Sequence, residues 1–125
     1  MDILFYHYPK CKKSRAALDF IRQNGINPSI KPYIEDGIEP ASLNKIFSLL
    51  KVKPSEMIRK QESYYEEELS NKDFTEDEWL EILSKFPRLI KRPVIIYKEQ
   101  AVLGDPIQNI NQIITAYRKD HENKN

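Results

Sequence analysis

The first fifteen residues constrain the fold more than any other segment, because an apolar run, a proline and a helical pattern follow one another there. Residues 3–6 form a short apolar run that ends before Pro9, which predicts a buried strand. Residues 14–24 have the 3.6-residue period of an amphipathic helix, closed by Gly25. We therefore expect a strand, a short loop and a helix, with Cys11 at or just before the first helical turn.

Cys11 is the only cysteine in the chain, and its position favours ionisation of the thiol. At a helix start, free backbone N–H groups and the positive end of the helix dipole stabilise a thiolate. Four cations flank the cysteine and add to that effect: Lys10, Lys12, Lys13 and Arg15. The alternative is a buried structural cysteine, which packs as a small hydrophobic side chain. Because the flanking residues are mostly charged, we favour a reactive Cys11.

Composition excludes several classes of protein. The net charge is +1, so bulk electrostatics do not favour direct binding to nucleic acid. The apolar runs are too short to span a membrane, and no basic leader precedes the first of them. A single cysteine excludes an internal disulfide and a multi-cysteine metal site. We therefore expect a cytoplasmic protein without a metal, in a reducing compartment.

The remaining patterns predict a second strand, a helical stretch, a hairpin and a last helix. Residues 28–33 predict a second strand, whose two prolines indicate an edge strand or an irregular start, followed by a turn at residues 35–37. Residues 39–86 read as helical, with Pro40 in a first turn and a capping box from Thr75 to Glu78. Residues 94–97 and 101–103 form a hairpin. Asp105 as N-cap and Pro106 would start the last helix, which a polar tail from His121 follows.

This order predicts an α/β fold with one four-stranded mixed sheet. A strand, a helix and a parallel strand come first, and a hairpin and a helix come last. A thiol at the first helix start and a proline just before the third strand fit a thioredoxin-like fold. We expect a single domain over residues 1–125, with a helical insertion at about 39–86 between the second and third strands. The acidic residues 61–71 would be a solvated surface or, alternatively, an acidic docking surface.

Several short motifs in a fixed order resemble those of one protein family. They are Tyr6-His7-x-Pro9-x-Cys11-x-x-Ser14-Arg15, Ile58-Arg59-Lys60, Phe86-Pro87-x-Leu89-Ile90-x-Arg92-Pro93-Val94-Ile95 and Leu103-Gly104-x-Pro106. In order and spacing they are similar to the ArsC-type arsenate reductases and their Spx and YffB relatives. The resemblance covers nearly the whole chain, from about Ile3 to Tyr117.

The resemblance implies a cysteine nucleophile at Cys11. In the arsenate reductases that thiolate attacks arsenate, glutathione resolves the adduct, and glutaredoxin restores the thiol. Glutathione would then be a co-substrate and glutaredoxin a protein partner, with no cofactor bound to the chain. The substrate would be a small oxyanion or a glutathione mixed disulfide, since attack on such a disulfide suits the same thiolate.

The same resemblance implies roles for further residues. Arg59 and Arg92 match two of the family's three oxyanion-holding arginines, and guanidinium groups suit a tetrahedral oxyanion. Pro93 would be the cis-proline beside the active site, although a trans bond is the default from sequence alone. Three residues would support the thiolate: His7, Ser14 and Arg15.

These roles have structural alternatives. Arg59 can instead form a surface ion pair with the acidic segment that follows it. Ser14 serves nearly as well as an ordinary residue of a helix start. For His7 we favour packing or hydrogen bonding over proton transfer.

Two positions depart from the reductase pattern. Asp105 stands where the reductases have a third arginine, a change of two charge units. At about 5 Å and an effective dielectric constant of about 20, each unit is worth about 3 kcal/mol before screening, which would weaken arsenate binding. A carboxylate occupied as an N-cap would not have that effect. Tyr8 stands where the reductases commonly have asparagine, and its ring could narrow access to the thiol.

The leading hypothesis is a monothiol oxidoreductase of the ArsC family that acts as a glutathione- and glutaredoxin-dependent arsenate reductase. The alternative is a regulator of the Spx type that binds RNA polymerase. Those regulators usually carry Cys-x-x-Cys, whereas this chain has Cys-Lys-Lys-Ser at residues 11–14 and no disulfide switch.

Overall fold

The structure is a computed structural model, and it describes residues 1–122. The residues after Glu122 in the predicted polar tail lie outside the described residues, and the last helix includes His121. The chain forms two compact units, one of residues 1–32 with the chain from Arg92 onward and one of residues 33–91. The helices and strands are β1 (Leu4–Tyr6), α1 (Lys12–Gln23), β2 (Ser29–Lys31), α2 (Tyr33–Asp36), α3 (Pro40–Leu50), α4 (Glu76–Lys85), β3 (Val94–Tyr97), β4 (Gln100–Leu103) and α5 (Ile110–Glu122).

The first unit contains a four-stranded mixed sheet in the order β2-β1-β3-β4. β1 pairs in parallel with β2 and antiparallel with β3, which also pairs antiparallel with β4. Phe5 lies opposite Ile30 on one side and Ile95 on the other, and both Phe5 and Ile95 are fully buried. The predicted mixed α/β sheet is confirmed, including the parallel front pair and the hairpin.

Apolar residues of α1 and α5 pack against this sheet. Ala17 and Ile21 of α1, and Ile110 and Ile113 of α5, are completely buried. Their spacing of three or four residues keeps them on one helix face, as the sequence period predicted. The cluster consists of Ile3, Phe5, Ala17, Leu18, Ile21, Ile26, Ile95, Tyr97, Val102, Ile110, Ile113 and Ile114.

The second unit is mainly helical and lies in sequence between β2 and β3. α3 begins at Pro40, and α4 begins with the predicted capping box, in which the Glu78 N–H donates to Thr75 Oγ1 at 3.2 Å. Three shorter stretches complete the regular structure: a 3₁₀-helix at Pro54–Met57, a π-helix at Tyr65–Leu69 and a 3₁₀-helix at Pro87–Leu89. The prediction of one domain with an insertion at about 39–86 stays a prediction.

The second predicted strand is shorter than expected. β2 ends at Lys31 and not at Tyr33, because the chain enters a helix directly after Pro32. Tyr33 instead begins α2, which replaces the start of the predicted turn at residues 35–37. Gly37, which follows α2, has φ +80°, and this left-handed conformation ends the short helix.

The predicted start of the last helix is wrong. Asp105 is not an N-cap: a 3₁₀-helix, Ile107–Asn109, precedes α5 and has Pro106 as its cap, in extended conformation. The Asp105 carboxylate instead accepts a hydrogen bond from Lys13 Nζ at 2.7 Å. An Asp–Pro pair is typical of a helix start. Here, however, the Asp105 side chain binds Lys13, which is distant in sequence.

Membrane-spanning helices are absent from residues 1–122, because none of the helices there combines sufficient length with sufficient apolar character.

Gly104 allows close packing at the end of the hairpin. Its N–H donates to the Pro93 carbonyl oxygen at 2.8 Å. A Cβ atom at this position would lie 2.7 Å from Pro93 Cγ and 2.8 Å from Ile95 Cδ1. A side chain of any size would therefore displace the residue that follows Arg92.

We predict that Gly104→Ala destabilises the protein by about 1–3 kcal/mol, the usual cost of overpacking. The measurement is the free energy of unfolding from urea titration. Ile95→Val removes the clashing Cδ1 atom, so Gly104→Ala should cost less in the Ile95→Val background. Equal stability of Gly104→Ala and the unmodified chain would contradict this packing argument.

Candidate active site

Cys11 is the N-cap of α1 and is half-buried. Its N–H donates to the Tyr8 carbonyl oxygen at 2.9 Å, and its own carbonyl oxygen accepts the N–H of Arg15 at 3.0 Å. These bonds close the loop between β1 and α1 and place the sulfur at the first helical turn, as predicted. The alternative of a fully buried structural cysteine is wrong, because the residue retains access to solvent.

The surroundings of the sulfur favour the thiolate. Burial raises the pKa of the Cys11 thiol. Three groups act in the other direction and outweigh burial: the backbone N–H of Ser14, the Arg92 guanidinium and the backbone N–H of Lys13. The net pKa is therefore below its ordinary value. Cys11 does not form the close side-chain capping bond that a serine or aspartate forms at such a position. The N–H groups and the guanidinium therefore stabilise the ionised sulfur, and the neutral thiol does not serve as a capping acceptor.

Arg92 is the cation that acts on Cys11 directly. Only 7% of its surface is exposed, and its charge adds to the lowering of the thiol pKa. Its guanidinium carbon lies 4.9 Å from the centre of the Tyr8 ring. The bond between Arg92 and Pro93 is cis, as the sequence resemblance implied for Pro93. An anion bound next to the Cys11 sulfur would therefore also be close to the Arg92 guanidinium.

Ser14 and His7 form a buried hydrogen-bonded pair beside the loop. His7 Nδ1 lies 2.7 Å from Ser14 Oγ, and the N–H of Tyr8 donates to the same oxygen at 3.1 Å. Ser14 is completely buried, so it is more than an ordinary exposed residue of a first turn. Burial, and then the charges of Arg22 and Arg15, lower the pKa of His7. A neutral His7 at pH 7 fits the predicted hydrogen-bonding role.

Arg15 is exposed, and its Nη1 donates to the Pro9 carbonyl oxygen at 2.8 Å. This bond links the first turn of α1 back to the loop before it. The direct support of the thiolate that we expected from Arg15 stays a prediction.

Arg59 lies in the second unit, where its Nη1 donates to Glu62 Oε1 at 3.0 Å. Arg88 Nε lies 4.0 Å from the same oxygen. The ion-pair alternative for Arg59 is therefore present in the structure. Its predicted role in holding an oxyanion stays a prediction.

Asp105 forms an exposed ion pair with Lys13, and 49% and 64% of the two side chains are accessible. In that setting water and salt screen the carboxylate, so the energy expected from an effective dielectric constant of about 20 is too large. The pair neutralises one of the four cations around Cys11. Sequence reasoning did not predict the contact of Asp105 with Lys13. It also did not predict the contact of Tyr8 with Arg92.

Clusters of histidine, cysteine and carboxylate side chains that could hold a metal ion are absent from the part of the chain that the structure describes.

A mixed four-stranded sheet with a thiol at the start of α1 and a cis-proline before β3 defines a thioredoxin-like thiol protein. The chain belongs to the ArsC family, whose model matches residues 6–113. An arsenate reductase from Vibrio cholerae of known structure is 30% identical with a TM-score of 0.84, and the alignment covers 90% of this chain and 98% of that one.

Two sequence relatives give the same family. The arsenate reductase of Neisseria meningitidis serogroup A is 30% identical over 115 residues, which cover 90% of this chain and 98% of the relative. An arsenate reductase of Escherichia coli is 32% identical over 119 residues, which cover 94% of this chain and 84% of the relative. These names describe what the chain is similar to, and the identities support an arsenate-reductase-like oxidoreductase.

We predict that Arg92→Met slows alkylation of Cys11 by iodoacetamide at pH 7 by roughly tenfold, because the thiolate loses its neighbouring cation. The midpoint of the alkylation rate against pH should move upward. Lys12→Met removes the same charge from an exposed side chain in the first turn, and should have a smaller effect. Equal effects of the two variants would mean that general charge, and not the Arg92 contact, activates the thiol.

We predict that Asp105→Asn raises the rate of Cys11 with anionic iodoacetate relative to neutral iodoacetamide, by about twofold at low ionic strength. The reason is that the substitution removes the negative charge that offsets Lys13 near the thiol. The ratio should return to that of the unmodified chain at about 1 M salt, where charges are screened within about 3 Å. Glu99→Gln, in the exposed turn before β4, is the matched control. A falling ratio would contradict this reading of the ion pair.

Proposed function

We propose that this chain is a monothiol oxidoreductase of the ArsC family that reduces arsenate, with Cys11 as its nucleophile. The observation that carries the proposal is the buried Arg92 guanidinium beside a half-buried thiol whose pKa it lowers. A cation in this place serves both the attacking thiolate and an anionic substrate. The arsenate reductases among its relatives supply the substrate class.

The reaction needs Cys11 and two external thiols. The Cys11 thiolate displaces one oxygen of arsenate, which leaves as water after protonation, and arsenic remains pentavalent. A second thiol then attacks the Cys11 sulfur, the sulfur–arsenic bond breaks, and its electron pair reduces arsenic to trivalent arsenite. Cys11 and the second thiol are left as a mixed disulfide. A third thiol then attacks the sulfur of the second thiol and releases Cys11. Each turnover converts two external thiols to one disulfide.

Those external thiols must come from other molecules, because Cys11 is the only cysteine of the chain. Glutathione is the small thiol that we propose for the second step, and glutaredoxin is the partner that we propose for the last. This thiol supply belongs to the cytoplasm, which is where we place the protein.

The buried pair of His7 and Ser14 has a supporting role in this proposal. Ser14 Oγ already accepts the Tyr8 N–H, and a protonated Nδ1 of His7 can donate to it as well. The hydroxyl hydrogen of Ser14 is then available as a donor to a negatively charged sulfur. Proton transfer to substrate by His7 is not required.

A glutathione mixed disulfide is a second substrate that the same thiolate can attack. Cys11 would take the glutathione sulfur and release the other thiol, and free glutathione would then release Cys11 as oxidised glutathione. This reaction needs a thiolate and no tetrahedral anion site, so it depends less on Arg59. The Spx-type binding of RNA polymerase stays a prediction, and capture of polymerase subunits by the full chain would test it.

We predict arsenate-dependent oxidation of NADPH when the chain is supplied with glutathione, glutaredoxin and glutathione reductase. Cys11→Ser should abolish the turnover, because serine at pH 7 is not a comparable nucleophile. Replacing arsenate with a glutathione mixed disulfide, and omitting glutaredoxin so that only Cys11 and free glutathione can act on it, measures the second reaction. Turnover of that disulfide without turnover of arsenate would reject arsenate as the substrate, and absence of both would reject the proposed thiol chemistry.

A further inference from the structure

Tyr8 occupies a place in the active-site loop that the proposed reaction does not use. It follows β1 by two residues, and its ring is half-buried. Its N–H donates to Ser14 Oγ at 3.1 Å, and its carbonyl oxygen accepts the N–H of Cys11 at 2.9 Å. The backbone of Tyr8 is therefore fixed on both sides to the residues that surround the sulfur.

The pairing of β1 with β3 brings Tyr8 and Arg92 to the same end of the sheet. β1 and β3 pair Leu4 with Ile96, Phe5 with Ile95 and Tyr6 with Val94. Tyr8 lies two residues beyond the end of β1, and Arg92 lies two residues before the start of β3, so both residues leave the sheet at the same end. Neighbouring strands of a sheet are about 5 Å apart, which lets side chains of the two segments meet.

The contact itself is a cation–π interaction. The Arg92 guanidinium carbon lies 4.9 Å from the ring centre, within the range of about 6 Å in which such pairs attract. An arginine side chain has several rotatable bonds, and a ring against the planar guanidinium restricts them. Because the ring belongs to the loop that holds Cys11, it fixes the guanidinium relative to the sulfur.

We propose that Tyr8 is a positioning residue, whose ring holds the Arg92 guanidinium beside the Cys11 sulfur. The inference rests on the proposed thiol chemistry of Cys11, but not on arsenate as the substrate. It assigns the activation of the thiol to a chain of contacts, from the Tyr8 ring to Arg92 and from Arg92 to the sulfur. The π-face of the ring matters for this role, and the hydroxyl group does not.

The test is the pH profile of iodoacetamide alkylation in Tyr8→Phe and Tyr8→Leu. Tyr8→Leu should slow alkylation at pH 7 by about two- to fivefold, the loss expected for one cation–π contact, and should move the midpoint upward. Tyr8→Phe keeps the π-face and should retain the profile of the unmodified chain. Tyr64→Leu makes the same substitution at an exposed tyrosine in the second unit and should leave the profile unchanged.

A double-mutant cycle with Arg92→Met separates positioning from a direct effect of the ring on the sulfur. In the Arg92→Met background, Tyr8→Leu should cause no further slowing, because the group that it positions is gone. Additive losses, or a Tyr8→Phe variant as slow as Tyr8→Leu, would overturn the inference. If Tyr8→Leu does not fold by circular dichroism, Tyr8→Met provides a second flexible side chain without a π-face. A failed arsenate assay leaves these alkylation outcomes unaffected, so the two proposals fail separately.

Discussion

The electrostatic interaction between Arg92 and the Cys11 sulfur is the one on which the proposed chemistry depends. Half-burial by itself would favour the neutral thiol, so the ionised form needs compensation from fixed positive charge. The protein supplies that compensation from two directions, by N–H groups of the first turn of α1 and by a guanidinium just before β3. The sheet brings these two segments together, because β1 and β3 are neighbours in it.

The rest of the first unit maintains this arrangement. The hydrogen bonds of Tyr8 and Ser14 fix the loop, and the absence of a side chain at Gly104 lets β4 approach Pro93. The Lys13–Asp105 pair moderates the positive charge at the surface of the same region. The site therefore combines a buried cation that acts on the sulfur with exposed cations, one of which is paired with a carboxylate.

Much of this could be predicted from sequence, because local patterns determine it. The position of Cys11 as N-cap follows from the strand, proline and helix signals within a few residues, and the Thr75 capping box is equally local. The partner of Asp105 could not be predicted, since Lys13 lies 92 residues away and an Asp–Pro pair has the composition of a helix start. The contact of Tyr8 with Arg92 requires β1 and β3 to be neighbours in the sheet, which no local pattern specifies.

The interactions that stabilise the Cys11 thiolate also act in the opposite direction. The N–H groups and Arg92 stabilise Cys11 only while its sulfur is negative, because a covalently bonded sulfur carries no full charge. The same groups therefore favour return of the sulfur to the thiolate when its bond is attacked. A thiol with a lowered pKa is a better leaving group, so the site that makes Cys11 ready to react also makes it easy to release.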